Sequence, residues 1–526
     1  MSERLSRLAA IVRADFLIRL RRPSTAIIFL LLSASAYLWV PAPSTGKCLI
    51  QVNGHRALYD SAAIGMATAM LGTIFIGLAG FYVVSNAIRR DVLSRCGYVI
   101  ASTTMRGSEY LAGKFAGNVV FLTVFMSGFM LASMSMLIVR GEAPLQPLVF
   151  ITQYLLLVPP VIVFVSALAI LFECTPGLRG KFGDVVYFFL WAGSAGAAAS
   201  LIDRPNPPVW PRYIDFTGLG FSMHQLGDTL HTQSVSIGAS SFDASKPTIV
   251  FPGLHFEWAW AGPRIVSTLA PILLLVVARL FFHRFDPARL RAAAAATKRT
   301  WIGRFNAMAK PLARFVLALI PRGGSGSLLD AARADAVTTV AAFPLAIVGV
   351  FGLAIAALAS DAHGLLTGVM PLAYAACAIA VADISCREQR AGTSALVFAA
   401  PHLRQRFVAW KFLTSMLVAA AFLAVPIVRA SILRPDAALP LVVGLAFTCA
   451  AATLLGIVSA NPKTFIVGFL TFWYVATQDK GATASLDFAG WFGKATPAVI
   501  AAYAGLAMLC LAAAAAYHAR VLRARW

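Results

Sequence analysis

Twelve stretches of this 526-residue chain carry no Asp, Glu, Lys or Arg, and that distribution of charge constrains the fold more than any motif. A Lys, Arg or Asp at the centre of a bilayer helix costs roughly 2.5–3.5 kcal/mol on insertion scales, so membrane spans stand out as gaps between charges. The gaps are Pro23–Gly46, Ser61–Ile88, Phe115–Val139, Ala143–Phe172, Val185–Ile202 and Ile265–Ala278, then Ala336–Ser360, Ala362–Ala382, Phe412–Val428, Ala437–Pro462, Thr464–Gln478 and Ala495–Ala519. A crossing helix needs about 20 residues. Ten runs roughly reach that length, whereas Ile265–Ala278 and Thr464–Gln478 have 14 and 15 residues. The first of these lengthens to Phe282 if Arg279 snorkels to the interface. Only 13% of residues are charged and 59% are apolar, against about 25% charged in an average soluble chain. That excludes a large soluble enzyme, a disordered tail and a disulfide-stapled secreted scaffold. The pattern predicts an all-α integral membrane protein with twelve transmembrane helices.

Basic residues orient the spans, because cytoplasmic loops retain Lys and Arg. With the amino terminus inside, cytoplasmic segments hold 33 of the 44 basic residues, and both termini are cytoplasmic. The net charge of +22 therefore reads as sorting toward anionic lipid, not as a nucleic-acid surface. The amino-terminal apolar run lacks a convincing cleavage box and reads as an uncleaved first span. Cys48, Cys96, Cys174, Cys377, Cys386, Cys449 and Cys510 are spread singly, and only Cys48 faces outward, so no disulfide across the outer side is expected. Trp39, Trp210, Trp258, Trp260 and Trp491 fall near outer span ends and Trp301, Trp410 and Trp526 near inner ones, as aromatic belts require.

The chain repeats itself. At an offset of 297, Arg90-Asp91, Tyr110 and Lys114-Phe115 superpose on Arg387-Glu388, Phe407 and Lys411-Phe412, and at an offset of 320, Arg13-Ala14-Asp15 answers Arg333-Ala334-Asp335. Six spans per half is an even number, so the halves share a topology and form a parallel repeat. The organisation expected is an amphipathic cytoplasmic helix over residues 1–22 and a first six-span half over 23–282 with outer loops 41–60 and 203–264. A basic cytoplasmic linker over 283–332 and a second half over 333–526 follow. In the first helix Val12, Phe16 and Leu20 share one face, with Arg13, Arg19 and Arg21 mostly away from it. In the linker, Trp301, Phe305, Met308, Leu312, Phe315 and Leu319 predict an interfacial helix kinked by Pro311, followed by the flexible run Arg322-Gly323-Gly324-Ser325-Gly326-Ser327.

Catalytic chemistry is sparse. There is no GxxxxGK[ST] phosphate loop and no HExxH metal spacing, and His224 and His231 read as solvated loop residues. The chain itself is read as neither an enzyme nor a metal protein, and as binding no cofactor. An ion-driven carrier keeps ionisable groups inside its bundle, but Asp60, Glu173, Asp184, Asp361 and Asp383 fall at span ends or in loops. Energy for any transport then arrives from outside. The amphipathic stretches Tyr98–Lys114 and Ala395–Lys411 are the places where a partner would deliver it.

The amphipathic start, the six spans, the run Ser85-Asn86-Ala87-Ile88-Arg89-Arg90-Asp91 followed by Ala101-Ser102-Thr103-Thr104 and Tyr110-Leu111-Ala112-Gly113-Lys114, and the close Phe282-His283-Arg284-Phe285-Asp286-Pro287-Ala288-Arg289 together resemble ABC-2 type permeases, in a fused, internally duplicated form. The resemblance implies a transport subunit of an ATP-binding cassette exporter in the bacterial inner (cytoplasmic) membrane. Its partner would be a separate ABC ATPase, a homodimer giving two subunits per chain, which binds ATP and Mg. Carried over to this sequence, Arg90, Asp91, Arg106, Glu109 and Lys114 serve one ATPase and Arg387, Glu388, Arg404, Arg406 and Lys411 the other. Trp410 in place of Gly113 and Pro401 in place of Thr104 set the second copy apart. The resemblance also implies a path between the second and fifth spans of the halves, near Thr68, Thr73, Trp191, Thr367, Phe472, Trp473 and Tyr474, for an amphipathic substrate. The rival reading is an autonomous 6+6 secondary transporter driven by an ion gradient.

Overall fold

The computed structural model describes residues 2–199, 209–230, 235–255, 257–283, 285, 318, 327–342 and 344–525. Two compact units, Met1–Thr297 and Lys298–Trp526, divide within the 283–332 stretch. The interfacial helix expected between Trp301 and Leu319 and the glycine-rich run lie outside the described residues, as do His231 and Trp526.

The first unit opens with α1 (Ser2–Leu20) and α2 (Pro23–Trp39), separated at Arg22-Pro23, where the proline ring suits the first turn of a new helix. Next come β1 (Lys47–Val52), β2 (His55–Arg56), α3 (Ser61–Leu93), α4 (Cys96–Ser102), α5 (Gly107–Arg140), α6 (Pro147–Cys174) and α7 (Lys181–Ala199). Then follow α8 (Leu219–Leu230), β3 (Val235–Ser241) and α9 (Trp258–Phe281). Asp60 starts α3 by accepting from Ala63 N at 2.8 Å. The helix is central: 94% of its most apolar stretch is buried, against 17% for α9. Glycines permit that closeness, since a Cβ on Gly72 would come within 2.7 Å of Met126 Cε. A π turn at Ile76–Gly80 leaves the Gly77 carbonyl without its usual helical donor, and the Tyr187 hydroxyl from α7 donates to it.

A three-stranded antiparallel sheet of order β2-β1-β3 unites the two expected outer loops, a feature absent from the all-α reading. The hairpin turns at Asn53-Gly54, both with positive φ, and β3 comes from nearly 200 residues downstream, with Ile50 paired to Ile237. Arg56 clamps Glu142 with two bonds of 2.7 and 2.6 Å, holding the sheet against the loop after α5.

The second unit has α10 (Leu328–Ala342), α11 (Pro344–Ala359), α12 (Ala362–Val381), α13 (Phe407–Leu433), α14 (Pro435–Ser459), α15 (Pro462–Asp479) and α16 (Pro497–Arg525). A π turn interrupts α12 at Leu365–Val369, as one interrupts α3. The run Ala336–Ser360 is not one straight helix: its two parts meet at 91°, with Pro344 opening the second.

Among the described residues eight helices are long and apolar enough to cross a membrane, α3, α5, α6, α9, α12, α13, α14 and α16, or nine if the bent pair counts as one span. The chain is thus a mostly helical membrane-embedded protein. The other expected spans form helices of 17, 19 and 18 residues, α2, α7 and α15, outside that set. The short sixth run lengthens at both ends, to Trp258 and Phe281, so Arg264 lies within the helix. Its guanidinium is accepted there because it donates to the Leu156 and Leu157 carbonyls at 2.8 and 3.1 Å.

Candidate functional site

The sequence repeat converges, in each unit, on a buried ion cluster at the end of the second long helix. In the first unit α1 contributes Asp15, the last turns of α3 contribute Arg90 and Asp91, and α5 contributes Lys114. Lys114 Nζ lies 2.8 Å from Asp15 Oδ1 and 2.7 Å from Asp91 Oδ2, bridging both carboxylates. Arg90 pairs with the same Asp15 oxygen, and the Tyr110 hydroxyl donates to Asp91 at 2.7 Å. Arg19 joins from one turn along α1, donating to Asn118 Oδ1 at 2.5 Å. Burial alone would raise the Asp15 carboxyl, but Lys114, Arg19 and Arg90 outweigh it and hold it below the ordinary range.

The second unit builds the same figure from the repeat partners. Lys411 Nζ lies 2.8 Å from Asp335 Oδ2 on α10 and also pairs with Glu388, while Arg387 meets Asp335 Oδ1 at 3.0 Å. Each offset read from the sequence therefore joins residues with equivalent partners: Asp15 and Asp335, Arg90 and Arg387, Asp91 and Glu388, Lys114 and Lys411. Lys411 Nζ also sits 4.0 Å above the Trp410 ring, a cation–π contact at the position where the first unit has Gly113. Gly113 instead admits Ile11 of α1, which a Cβ there would meet at 2.9 Å.

These contacts change how α1 faces. The sequence pattern puts Arg19 on the polar side and Leu20 on the packed side, whereas Arg19 is buried and Leu20 is 54% exposed. A helix rotates its charges inward only when partners compensate them, and Asn118, Asp15 and the Val84 carbonyl do so here. Asp15 lies one turn back on α1 itself, but periodicity could not supply Asn118 and the Val84 carbonyl, which come from α5 and α3.

The segment after the cluster is held as firmly. Glu173, at the end of α6, accepts from the backbone N–H groups of Ala87, Ile88 and Arg89 at 2.9, 2.7 and 3.0 Å, capping the last helical segment of α3. Tyr110 stacks on Phe282 at 5.3 Å, and Phe285 fills the place over Gly97, where a Cβ would come within 2.6 Å of its ring. In the second unit Phe407 stacks on His518 at 5.1 Å. The counterpart of Gly97 is Ser394, which lines a cavity of about 340 Å³ with Phe398, Ile457, Val521 and Leu522.

The ten loop residues expected to meet a partner divide into two groups. Asp91, Lys114, Glu388 and Lys411 are buried, and Arg90 and Arg387 are partly buried, all six in the clusters. Glu109 accepts from Arg106 N at 3.0 Å, capping α5, and lies 3.4 Å from Arg4 Nε. Arg106 and Arg406 are exposed and Arg404 is partly exposed. The outward surface includes apolar side chains that charge patterning did not single out: Leu93 at 72% exposure, Val99 at 67%, Tyr98 beside it, and Leu396 at 77%. The stretches Tyr98–Lys114 and Ala395–Lys411 are also broken. Short helices at Cys96–Ser102, Ser394–Phe398 and Pro401–Gln405 precede α5 and α13.

Of the expected path residues, Thr68, Thr73 and Trp191 are buried within the first unit. Thr68 accepts from the Tyr154 hydroxyl at 3.1 Å, and Thr73 donates to the Thr217 carbonyl at 2.6 Å, fixing the loop that leads into α8. Thr367, Phe472, Trp473 and Tyr474 are partly exposed, with Trp473 Nε1 donating to Pro371 O at 2.7 Å. No protein-family model, curated protein or solved structure matches the chain.

Proposed function

We propose that this chain is the transmembrane permease subunit of an ATP-binding cassette exporter of the ABC-2 type. It is a fused pair of six-span halves that moves an amphipathic substrate across the bacterial inner membrane, with both termini cytoplasmic. The observation that carries this reading is the matched pair of ion clusters. Each ties the helix leading into a unit's first span, α1 or α10, to the loop after the second span and to the base of the third. A push on the exposed short helices would be transmitted into the spans, because the buried Lys114 and Lys411 leave no slack between those elements. That is the mechanical requirement of a subunit driven by a partner. The partner is a separate ATPase, two copies per chain, which supplies ATP and Mg chemistry and docks on Leu93, Tyr98 and Val99 in one unit and Leu396 in the other, with Arg106, Arg404 and Arg406 at the rim. Closure of the ATPase pair then rocks the halves in alternating access. In this reading α2, α7 and α15 complete the twelve spans, and the ion clusters, with Glu109 capping α5 apart from them, hold the docking segments in place.

The test is affinity purification of the tagged chain from its host in mild detergent, with identification of co-purifying proteins and an ATP hydrolysis assay. A Walker-motif ATPase at about two copies per chain is expected, and Tyr98→Ser with Leu396→Ser reduces its recovery without changing the amount of folded chain. Purification alone, with substrate uptake in liposomes that follows a proton or sodium gradient, would replace this reading with the ion-driven carrier.

A further inference from the structure

The cavity beside Ser394 follows from how the two units close over their short helices. In the first, α9 ends at Phe281 and the chain turns back, so that Phe285 stands edge-on to Tyr110 at 5.4 Å and covers Gly97. In the second, α16 runs straight on to Arg525, and the edge-on ring comes instead from the short helix itself, with Phe398 at 5.2 Å from Phe407. The place over Ser394 is left open, a space of about 340 Å³ between Gln389, Ser394, Phe398, Ile457, Val521 and Leu522.

Its surroundings are one-sided in charge. The segments 387–411 and 497–525, which build most of its wall, contain one acidic residue, Glu388, and that one is buried against Lys411. Arg390, Arg406, Arg520 and Arg523 are exposed, and the Arg404 carbonyl is joined to His518 on the cavity wall at 3.0 Å. Leu396, on the same short helix as Ser394, is 77% exposed. The first unit presents the same chemistry without the cavity, since Leu93, Tyr98 and Val99 are exposed beside Arg89, Arg95 and Arg106.

A cavity of this size takes one bulky side chain and not a diacyl lipid, and it leaves Leu396 outside, to be covered by a larger surface. The exposed arginines call for carboxylates on that surface. A basic and apolar face that recurs in both units suits a partner that presents one surface twice. We infer that the partner ATPase meets each unit through apolar side chains rimmed by Asp and Glu, and that in the second unit one bulky apolar side chain of that surface enters the cavity over Ser394. The two copies are then held unequally, the one on the second unit more tightly. The inference rests on the exporter reading above.

The full-length chain, in nanodiscs of phosphatidylcholine, which carries no net charge, is titrated with the ATPase recovered from its host. Two affinities are expected. Ser394→Leu, which fills the cavity, weakens the tighter one about tenfold while its unfolding midpoint stays at or above that of wild type, and Arg390→Glu with Arg406→Glu weakens it at least as much. Wild-type affinity in either variant would overturn the inference and leave the exporter reading standing. A chain from which no ATPase is recovered would remove both. If Ser394→Leu does not fold, Ser394→Cys in a Cys96→Ser background gives a second readout. N-phenylmaleimide should modify the introduced thiol readily in the isolated chain and about tenfold more slowly once the ATPase is bound. An equal rate in the complex would overturn the inference, as would a thiol already protected in the isolated chain by a retained lipid.

Discussion

Lys114 Nζ and Asp15 Oδ1 lie 2.8 Å apart although 99 residues separate them, and both side chains are buried. Removing one member of such a pair strands a charge away from water, which costs about 3–5 kcal/mol, whereas replacing both by apolar residues of similar size is often neutral. Asp15→Asn and Lys114→Met are each expected to lower the unfolding midpoint of the purified chain sharply, and Asp15→Leu with Lys114→Met to lower it by less than the sum of the two losses, since Arg19, Arg90 and Asp91 remain. The same cycle on Asp335 and Lys411 should behave alike. Thermal unfolding in detergent checks both, and additive losses in the double variants would show that the pairs are not coupled.

The cluster should also respond to acid with a definite sign. The folded Asp15 carboxyl lies below its ordinary value, so its contribution is fully present above about pH 3.9, the unfolded reference. It is lost as pH falls through the lowered folded value. Wild type is therefore expected to lose stability more steeply than Asp15→Asn below that reference, and the two curves should run parallel between pH 5 and pH 7. Unfolding midpoints across that range provide the check.

Gly97 and Ser394 occupy equivalent places with opposite room. A Cβ on Gly97 would meet the Phe285 ring at 2.6 Å, while Ser394 borders a cavity of about 340 Å³. Gly97→Leu is expected to cost roughly 1–3 kcal/mol by overpacking, and Ser394→Leu to be neutral or stabilising. Equal losses at both positions would contradict the difference in packing.

Cys96 is exposed, whereas Cys48, Cys174, Cys377, Cys386 and Cys449 are buried and Cys510 is partly covered within α16. A membrane-impermeant maleimide should label the native chain at Cys96, in inverted vesicles and not in right-side-out ones, and Cys96→Ser should abolish the signal. Labelling in right-side-out vesicles would reverse the orientation read from the basic residues.

The Tyr187 hydroxyl donates to the Gly77 carbonyl inside the π turn of α3. Tyr187→Phe leaves that carbonyl unsatisfied at a cost of about 0.6 kcal/mol, the average for interhelical hydrogen bonds in membranes. Faster amide exchange confined to the turn around residues 76–80 is the expected signature. Unchanged exchange there would mean that another donor replaces the hydroxyl.

Legibility in the sequence followed the range of the interactions involved. Asn53-Gly54 between β1 and β2 is a local hairpin signal that could have been read from the chain, yet β3 could not, because its pairing depends on a segment nearly 200 residues away. Periodicity located α1 but misjudged its rotation, since Arg19 is turned inward by Asn118 and Asp15. The offsets of the repeat located the cluster residues, while their burial follows from their opposition across three helices. The exposed apolar residues Leu93, Tyr98, Val99 and Leu396 carried no charge signal that would have singled them out.

Membrane embedding and the positions of the long apolar helices could be read from the chain alone. Those properties depend on the free energy of moving local segments out of water, and each residue contributes whatever its distant neighbours are. That Asp15, Arg90, Asp91 and Lys114 neutralise one another, that Arg264 answers the carbonyl freed by Pro160, and that Phe285 fills the space over Gly97 emerged from the packed fold. Burial of a charge or an unpaired donor is settled by what stands opposite it, and that is a property of the packed chain.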